Sequence, residues 1–334
     1  DNIYNTFPNL YTIRGTTHRN VSGWVDSLDH MRSFEPKYLF PSHTKPIEGE
    51  DATQALTIYR DAIQYIHDQT IRLMNKGYYP DEIVEMIDLP YELASSSLLK
   101  EFYGTVRWSV RSIYNGYLGW FDGNPSSLDP LGNSVEAQRI ASLAGGKENL
   151  FKSLEKAVAI EDMQWALQLS DYLIDLQFKV VETNILRKEA LFHIGIRASN
   201  PNKRNYFLTS ALELNPSFEG FPEVKKSESV VNEIDVDTIF SILSVSFNPE
   251  NSFKEKYSVC FRFDSGKQRT ATIRNSTLEI SKNIQSCNLN VSTSEKILKE
   301  TLAGLKSPVA MVATGAINVE GSKVDFLKFL TSFK

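Results

Sequence analysis

The protein has 334 residues, of which 41% are hydrophobic and 23% are charged, and its formal net charge is −5. This composition excludes an intrinsically disordered chain, and the length predicts two or three domains. The negative charge excludes a general attraction to nucleic acid or to an anionic membrane surface. No apolar run approaches the ~18 residues that a membrane-spanning helix requires, and the first residues lack the pattern of a targeting segment.

Residues 1–50 mix short elements in an order typical of an α/β layer. The stretch NLYTIRG (9–15) predicts a strand and a turn, and VSGWVDSLDHMRSF (21–34) predicts an amphipathic helix. The stretch PKYLFPSH (36–43) predicts a second short strand. Fifty residues cannot bury such a layer alone, so we expect other sequence to pack against it.

Residues 51–215 are predicted to be helical throughout. A long helix opens on Asp51 as its N-cap and closes on Gly77. A short helix with a proline in its first turn follows over 80–90. The stretch 91–121 then predicts one longer helix.

Four more helices are predicted between residues 147 and 214. Their alanine, leucine and tyrosine residues recur at packing positions, as in EDMQWALQLSDYLIDLQ (161–177). Paired helices of this kind resemble tetratricopeptide hairpins, although the consensus is only loosely met.

The C-terminal third changes pattern after a polar stretch over 216–233, which we interpret as a linker. Residues 234–334 predict a compact α+β domain: a helix, a meander of hairpin strands, a capped helix, a short strand and a final helix. The two cysteines, Cys260 and Cys287, could form one bridge or remain buried thiols.

Three segments carry a resemblance to a known family. They are NLYTIRGTTHRNVSGWVDSLD (9–29), PSHTKPIEG (41–49) and YGTVRWSVRSIYNGYLGWFDGNPSSL (103–128). These segments resemble the type III alkyl sulfatases, zinc enzymes of the metallo-β-lactamase superfamily. The last segment is the most specific of the three.

The resemblance implies a multi-domain fold. Residues 1–50 would be the C-terminal part of an α/β metallo-β-lactamase-like domain, and residues 51–215 a helical alkyl-sulfatase dimerisation domain that forms a homodimer. Residues 234–334 would be a sterol-carrier-protein-like domain, which either encloses an alkyl chain or has a filled core.

The zinc motif is where the sequence departs from the family. An H-x-H-x-D-H cluster is absent from these 334 residues, and no two of the five histidines lie within four residues of each other. The resemblance implies that His43 is the last metal-binding histidine and that Asp1 is a bridging acidic ligand. Most ligands of a binuclear zinc site would then lie outside this chain, so we expect the chain to belong to a longer enzyme and to be inactive alone.

The implied substrate site uses residues from two segments. A sulfate ester needs a fixed cationic donor and an acid that protonates the leaving oxygen. The resemblance implies His18 as that acid, and Arg19, Asn115 and Tyr117 as sulfate-binding residues. The alternative interpretations are a basic surface loop around His18 and a packed helix end around Tyr117. We expect Trp120 to lie in the core and Tyr117 to be functional.

The most concrete hypothesis is a zinc-dependent alkyl sulfatase that hydrolyses sulfate esters of long-chain alcohols, for example dodecyl sulfate, to alcohol and sulfate. One alternative is a non-catalytic dimerisation and lipid-binding protein. Another is a hydrolase of the same superfamily with a different substrate, since a fold does not fix the chemistry.

Overall fold

The computed structural model describes residues 2–222, 227–283 and 286–333, and the chain divides into two compact units, Asp1–Gly220 and Phe221–Lys334. The first unit is almost entirely helical and the second is α+β. Within the described ranges, no helix is both long and apolar enough to cross a membrane.

The elements of the first unit are α1 (Val21–Arg32), β1 (Tyr38–Leu39), β2 (Ile47–Glu48), α2 (Glu50–Met74), α3 (Pro80–Met86), α4 (Tyr91–Ala94), α5 (Val106–Leu118), α6 (Asn133–Leu143), α7 (Lys147–Ala159), α8 (Met163–Asp175), α9 (Val180–Arg197) and α10 (Pro201–Glu213). Those of the second unit are α11 (Glu228–Glu233), α12 (Val236–Ser246), β3 (Tyr257–Phe263), β4 (Gln268–Arg274), β5 (Thr277–Ser281), β6 (Leu289–Thr293), α13 (Glu295–Leu302), α14 (Pro308–Ala313), β7 (Ile317–Glu320) and α15 (Lys323–Thr331).

The N-terminal segment confirms the predicted helix but not the α/β layer. The strand predicted over 9–15 is wrong, because these residues form bends and a turn. The second predicted strand is reduced to β1, which pairs antiparallel with β2, and this pair is the only sheet in the described part of residues 1–50. The apolar residues of this segment, including Phe7, Leu10 and Leu28, are buried in one core with α2, α3 and α5.

The start of α2 differs from the prediction in its cap. Gly49, with φ +68, is the N-cap, and Asp51 lies inside the first turn beside Glu50. Two acids at this place still interact favourably with the positive end of the helix dipole. The predicted closure at Gly77 is confirmed, since its φ is +83 and its N–H donates to the carbonyl of Met74.

The single helix predicted over 91–121 is wrong, because the chain breaks between α4 and α5. A 3₁₀ turn over Ser97–Leu99 and an extended passage separate the two helices. In that passage the backbone of Gly104 lies against Pro8, and a Cβ at position 104 would stand 2.1 Å from the Pro8 carbonyl oxygen. This contact, which the local pattern cannot reveal, diverts the chain before α5 begins.

The four predicted helices between 147 and 214 are confirmed as α7, α8, α9 and α10. They share a second core with α6, made largely of alanine and leucine. One side of α9 carries apolar residues that remain exposed, which we call the α9 face: Val181, Ile185, Phe192 and Ile196. Their spacing places all four on the same side of the helix.

The second unit is built on a five-stranded sheet with the order β5-β4-β3-β6-β7. All neighbouring strands are antiparallel except β3 and β6, which are parallel and align Phe261 with Val291. Phe261 packs against Phe240 of α12 and Phe329 of α15, with ring centroids 5.3 and 6.0 Å apart, so phenyl rings fill this side of the sheet. Cys260 points to the opposite face, and it forms a disulfide with Cys287.

Candidate functional site

The third of the family-like segments, residues 103–128, contains α5 and ends in a turn that is held by several hydrogen bonds. α5 ends at Gly119, whose φ is +79 and whose N–H donates to the carbonyl of Asn115 at 2.8 Å. The buried Tyr114 donates its hydroxyl hydrogen to the Asp122 carbonyl at 2.8 Å. The Asp122 carboxylate accepts from the N–H of Asn124 and the hydroxyl of Ser127, both at 2.9 Å. These hydrogen bonds therefore stabilise the backbone of the turn.

Burial also changes the chemistry of Tyr114. Burial first, and then the nearby charge of Asp122, raise the pKa of the Tyr114 phenol. A phenol held neutral in this way is a hydrogen-bond donor to the backbone, which agrees with a structural role for this tyrosine.

Tyr117, one helical turn after Tyr114, has a different environment. Its side chain is 51% exposed, and its hydroxyl oxygen lies 2.8 Å from Nε2 of His67 on α2. The other ring nitrogen of His67, Nδ1, lies 2.8 Å from a carboxylate oxygen of Asp68. Carboxylate, imidazole and phenol thus form one hydrogen-bonded chain that reaches solvent at Tyr117.

His18 approaches the same tyrosine from the loop before α1. The His18 and Tyr117 ring centroids are 6.1 Å apart in an edge-to-face arrangement. The imidazole lies on Gly116, where a Cβ would stand 2.0 Å from two of its ring atoms. Gly116 therefore allows His18 to lie beside Tyr117, and the predicted pair comes together from distant parts of the sequence.

Arg19 has a structural contact next to this pair. It donates from a terminal guanidinium nitrogen to the backbone carbonyl of Asn9 at 2.9 Å, and its guanidinium carbon lies 6.0 Å from the Trp24 ring centroid. A guanidinium carries five N–H donors, and this bond engages one of its terminal nitrogens. The bond fixes the guanidinium end of the side chain, while the residue remains partly exposed.

The remaining predicted residues lie apart from the His18–Tyr117 pair or outside the described chain. Asn115 is exposed and precedes Tyr117 by two positions, so its side chain points about 200° away around the helix. His43 is exposed in the turn between β1 and β2, with φ +65. Asp1 lies outside the described residues. Within the ranges 2–222, 227–283 and 286–333, no three His, Cys, Asp or Glu side chains are grouped so that they could hold a metal ion.

The sequence prediction missed two residues of this site and misplaced a third. The sequence pattern assigns no role to His67 or to Gly116. Both depend on how α2, α5 and the His18 loop pack, although the adjacent His67 and Asp68 were a visible signal of a paired imidazole. The prediction that Trp120 lies in the core is wrong, because its side chain is 72% exposed.

Two family models match most of the chain. The model for alkyl sulfatase dimerisation matches residues 79–217, and the model for the alkyl sulfatase C-terminal region matches residues 224–334. Both cores of the helical unit contribute to the first match, and the sheet of the second unit lies within the second.

Characterised relatives carry alkylsulfatase names. A linear primary-alkylsulfatase of Pseudomonas sp. (strain ATCC 19151) is 34% identical, over 98% of this chain and 65% of the relative. An (R)-specific secondary-alkylsulfatase of Pseudomonas sp. is 28% identical, over 100% of this chain and 52% of the relative. The chain thus spans between about half and two thirds of the length of these relatives.

A solved structure has the same fold over the whole chain. The stereoselective inverting sec-alkylsulfatase Pisa1 from Pseudomonas sp. superposes with a TM-score of 0.92, at 24% identity, over 100% of this chain and 54% of that protein. At this identity the match concerns the fold alone. The two family matches and the relatives lead to the conclusion that the chain carries the dimerisation and C-terminal domains of the alkyl sulfatase family.

Proposed function

We propose that the protein to which this chain belongs is an alkyl sulfatase that hydrolyses sulfate esters of long-chain alcohols. The observation that carries the proposal is the contact between His18 and Tyr117 above Gly116, which joins a proton carrier and a hydroxyl donor at an exposed site. The names of the relatives give the substrate class, since they include primary and secondary alkylsulfatases.

The proposed reaction assigns each group a step. The ester R–O–SO₃⁻ and water give the alcohol R–OH and hydrogensulfate, so one ester bond breaks and the leaving oxygen gains a proton. Protonated His18 would give that proton as the general acid. Arg19 and Tyr117 would hold the sulfate through N–H and O–H donors, and Asn115 would contribute from the exposed side of α5.

Zinc remains part of the proposal through the family resemblance. The described residues do not fit a complete site, because no three potential ligands lie together. We propose that His43 is one ligand of a binuclear zinc site, with Asp1 as a bridging ligand and with the other ligands outside this chain. The ion would act as a Lewis acid when bound.

Metal analysis of the 334-residue chain tests the zinc proposal. We expect no stoichiometric zinc pair and no release of sulfate from dodecyl sulfate by this chain alone. Two tightly held zinc ions per chain would contradict this distribution of ligands.

We further propose that the protein is a homodimer. The support is the dimerisation family match over residues 79–217 together with the exposed α9 face inside that range. Four apolar side chains on one exposed helix side usually indicate an interface, and a symmetric pair of identical chains is the commonest assembly.

Sedimentation of surface variants tests the dimer and its position. Ile185→Lys combined with Phe192→Lys should sediment as a monomer at a concentration where the parent protein is a dimer. Val324→Lys, at an apolar residue of α15 in the other unit that is at least as exposed as Ile185 and Phe192, is the control and should remain dimeric. A dimeric double variant would exclude the α9 face, and a monomeric parent would exclude the homodimer.

The second unit would contribute the alkyl-binding part. Exposed apolar residues on α12 and α14, namely Ile242, Val245 and Val309, support contact with an alkyl chain at the surface. We propose that this sterol-carrier-protein-like unit binds the alkyl part of the ester, and that residues 1–50 complete a metallo-β-lactamase-type domain in the longer protein.

The activity is tested by removing the Tyr117 hydroxyl in the full-length protein. Tyr117→Phe loses one hydrogen bond to a charged group, a cost of about 1.5–3 kcal/mol, or roughly a 10- to 150-fold loss of kcat/KM for dodecyl sulfate. Tyr91→Phe, at a tyrosine that is 82% exposed on α4, is the matched control and should keep full activity. If Tyr117→Phe keeps full turnover and only lowers the melting temperature, the hydroxyl is structural.

A further inference from the structure

We propose that His67 and Asp68 are positioning residues that decide whether the Tyr117 hydroxyl can donate to an anionic ligand. The inference deepens the proposed function and rests on it. The carboxylate, imidazole and phenol are joined by two contacts of 2.8 Å each, and neither His67 nor Asp68 needs to touch the ester.

The proton on Nδ1 of His67 is fixed by its neighbour. An ionised carboxylate only accepts hydrogen bonds, so the nitrogen that faces Asp68 must carry a hydrogen. In a neutral imidazole Nε2 then has a lone pair, and the Tyr117 hydroxyl must donate its hydrogen to that lone pair. The phenol oxygen would present only lone pairs to solvent, which disfavours the approach of a sulfate.

Protonated His67 reverses the direction of the second hydrogen bond. Both ring nitrogens then carry hydrogens, so Nε2 donates to the Tyr117 oxygen and the hydroxyl hydrogen is released from the imidazole. Because half of the Tyr117 side chain is exposed, that hydrogen can point to a ligand. Tyr117 therefore donates to an anion when His67 carries two protons, and it does so poorly when His67 carries one.

The groups that face His67 come from three parts of the chain. Its side chain retains 17% of its exposure, and the Asp68 carboxylate is half exposed. The titratable groups around it are Asp68 on its own helix, Tyr117 on α5, and His18, whose ring centroid lies 6.1 Å from that of Tyr117. Doubly protonated His67 therefore has an acceptor at each ring nitrogen, the Asp68 carboxylate at Nδ1 and the Tyr117 oxygen at Nε2.

The first experiment reads the hydrogen-bond chain without using activity. ¹⁵N NMR of His67 in the 334-residue chain, at a pH where the ring is neutral, should show the tautomer protonated at Nδ1. Asp68→Asn should shift the ring toward a mixture of both tautomers, because the amide can donate as well as accept. A dominant Nε2–H tautomer in the unmodified chain would overturn the inference.

The second experiment measures KM for dodecyl sulfate against pH in the full-length protein. KM should rise about tenfold or more as His67 loses its proton, the size expected for losing a hydrogen bond to a charged group. His67→Gln offers an amide N–H that does not titrate, so its KM should stay low and lose this pH dependence. His67→Leu removes the Nε2 lone pair altogether, so its KM should also lose this rise with pH, while the pH profile of kcat is retained in both variants.

The two experiments separate the possible failures. A pH dependence of KM that is unchanged in His67→Gln would overturn the positioning role while the proposed function stands. A full-length protein that hydrolyses no alkyl sulfate at any pH would overturn the proposed function, and with it the donor role, even if NMR shows the expected tautomer.

Discussion

The imidazole of His18 lies directly on the backbone of Gly116. A Cβ at position 116 would stand 2.0 Å from both Cε1 and Nδ1 of that ring, far inside van der Waals contact. His18 comes from the loop before α1, whereas Gly116 lies in the last turn of α5. The place of the proposed general acid therefore depends on the absence of one side chain on another segment.

Gly116→Ala should reduce activity without reducing stability. His18 is exposed and can swing away from the new methyl group, and alanine is favoured over glycine inside a helix by roughly 0.5–1 kcal/mol. Misplacement of a reacting group by about 1 Å can cost about 10²-fold in rate. We expect kcat for dodecyl sulfate to fall toward that limit in the full-length protein while thermal unfolding stays unchanged or moves slightly upward.

A matched control for that substitution exists at Gly132. It precedes α6 with an ordinary φ of −64, and a Cβ there meets nothing within 4 Å. Gly132→Ala should leave kcat unchanged. If Gly116→Ala also keeps full activity, His18 is not held in place by this contact.

Gly104→Ala should reduce stability, because the atom that its new Cβ would meet belongs to the backbone. The new Cβ would stand 2.1 Å from the Pro8 carbonyl oxygen, and neighbouring bonds tie these segments together, including Phe7 N–H to the Lys100 carbonyl at 2.9 Å. Relief requires the chain to move, so we expect a destabilisation of about 1–3 kcal/mol or more.

Calorimetry or circular dichroism of Gly104→Ala measures this cost. For a unit of this size each kcal/mol lowers the melting temperature by roughly 2–4 °C. A melting temperature equal to that of Gly116→Ala would show that residues 6–9 separate easily from residues 100–104, and would contradict a tight contact between Gly104 and Pro8.

These two glycines also show how far the sequence predicts the fold. The helices α1, α3 and α7–α10 and the strand meander were predictable, because their apolar spacing and caps are local signals. The break in the chain before α5 was not predictable, because it comes from a contact between Pro8 and Gly104 that forms only in the folded chain. A continuous apolar pattern over 91–121 therefore indicated one helix where the structure has two.

The candidate site likewise contains residues that the sequence predicts and a residue that it does not. His18 and Tyr117 lie in short motifs that resemble those of a known family, so each residue can be predicted from its local sequence alone. His67 has no such motif, and its partner Tyr117 lies on another helix that meets it only through packing. A histidine inside a helix is usually packed or solvated, and only the geometry distinguishes this one.

Trp120→Ala should hardly affect stability. The sequence placed Trp120 in the core, where its loss would cost about 3–5 kcal/mol, but the side chain is 72% exposed and contacts the Phe121 ring at 5.8 Å between centroids. We expect a change within about 0.5 kcal/mol in the free energy of unfolding. Phe7→Ala, at a fully buried ring, provides the comparison and should show the large loss, and equal losses would mean that Trp120 is covered in solution.

Glu300 of α13 is a buried carboxylate that connects elements of the second unit. Its side chain is fully buried, with one oxygen 2.8 Å from Nζ of Lys306 and the other accepting from the side-chain amide of Asn232 at 3.0 Å. Lys299 of the same helix donates to the carbonyls of Asn232 and Ile234 at 2.7 and 2.8 Å. The network therefore attaches the segment around α11 to α13.

Acid should weaken the second unit through Glu300. The hydrogen bonds from Lys306, then that from Asn232, hold the pKa of Glu300 below its usual value. The unfolded chain takes up this proton near pH 4.3, before the folded chain does, so the stabilisation is complete above that pH and is lost as the pH falls toward the lower folded pKa. Glu300→Gln should lower the free energy of unfolding at pH 7, and the difference from the parent protein should shrink between about pH 5 and pH 3.

Urea unfolding at a series of pH values measures both effects, with Glu320→Gln on the exposed edge of β7 as the control. A Glu300→Gln deficit that stays constant down to pH 3 would mean that the carboxylate charge contributes nothing to the attachment.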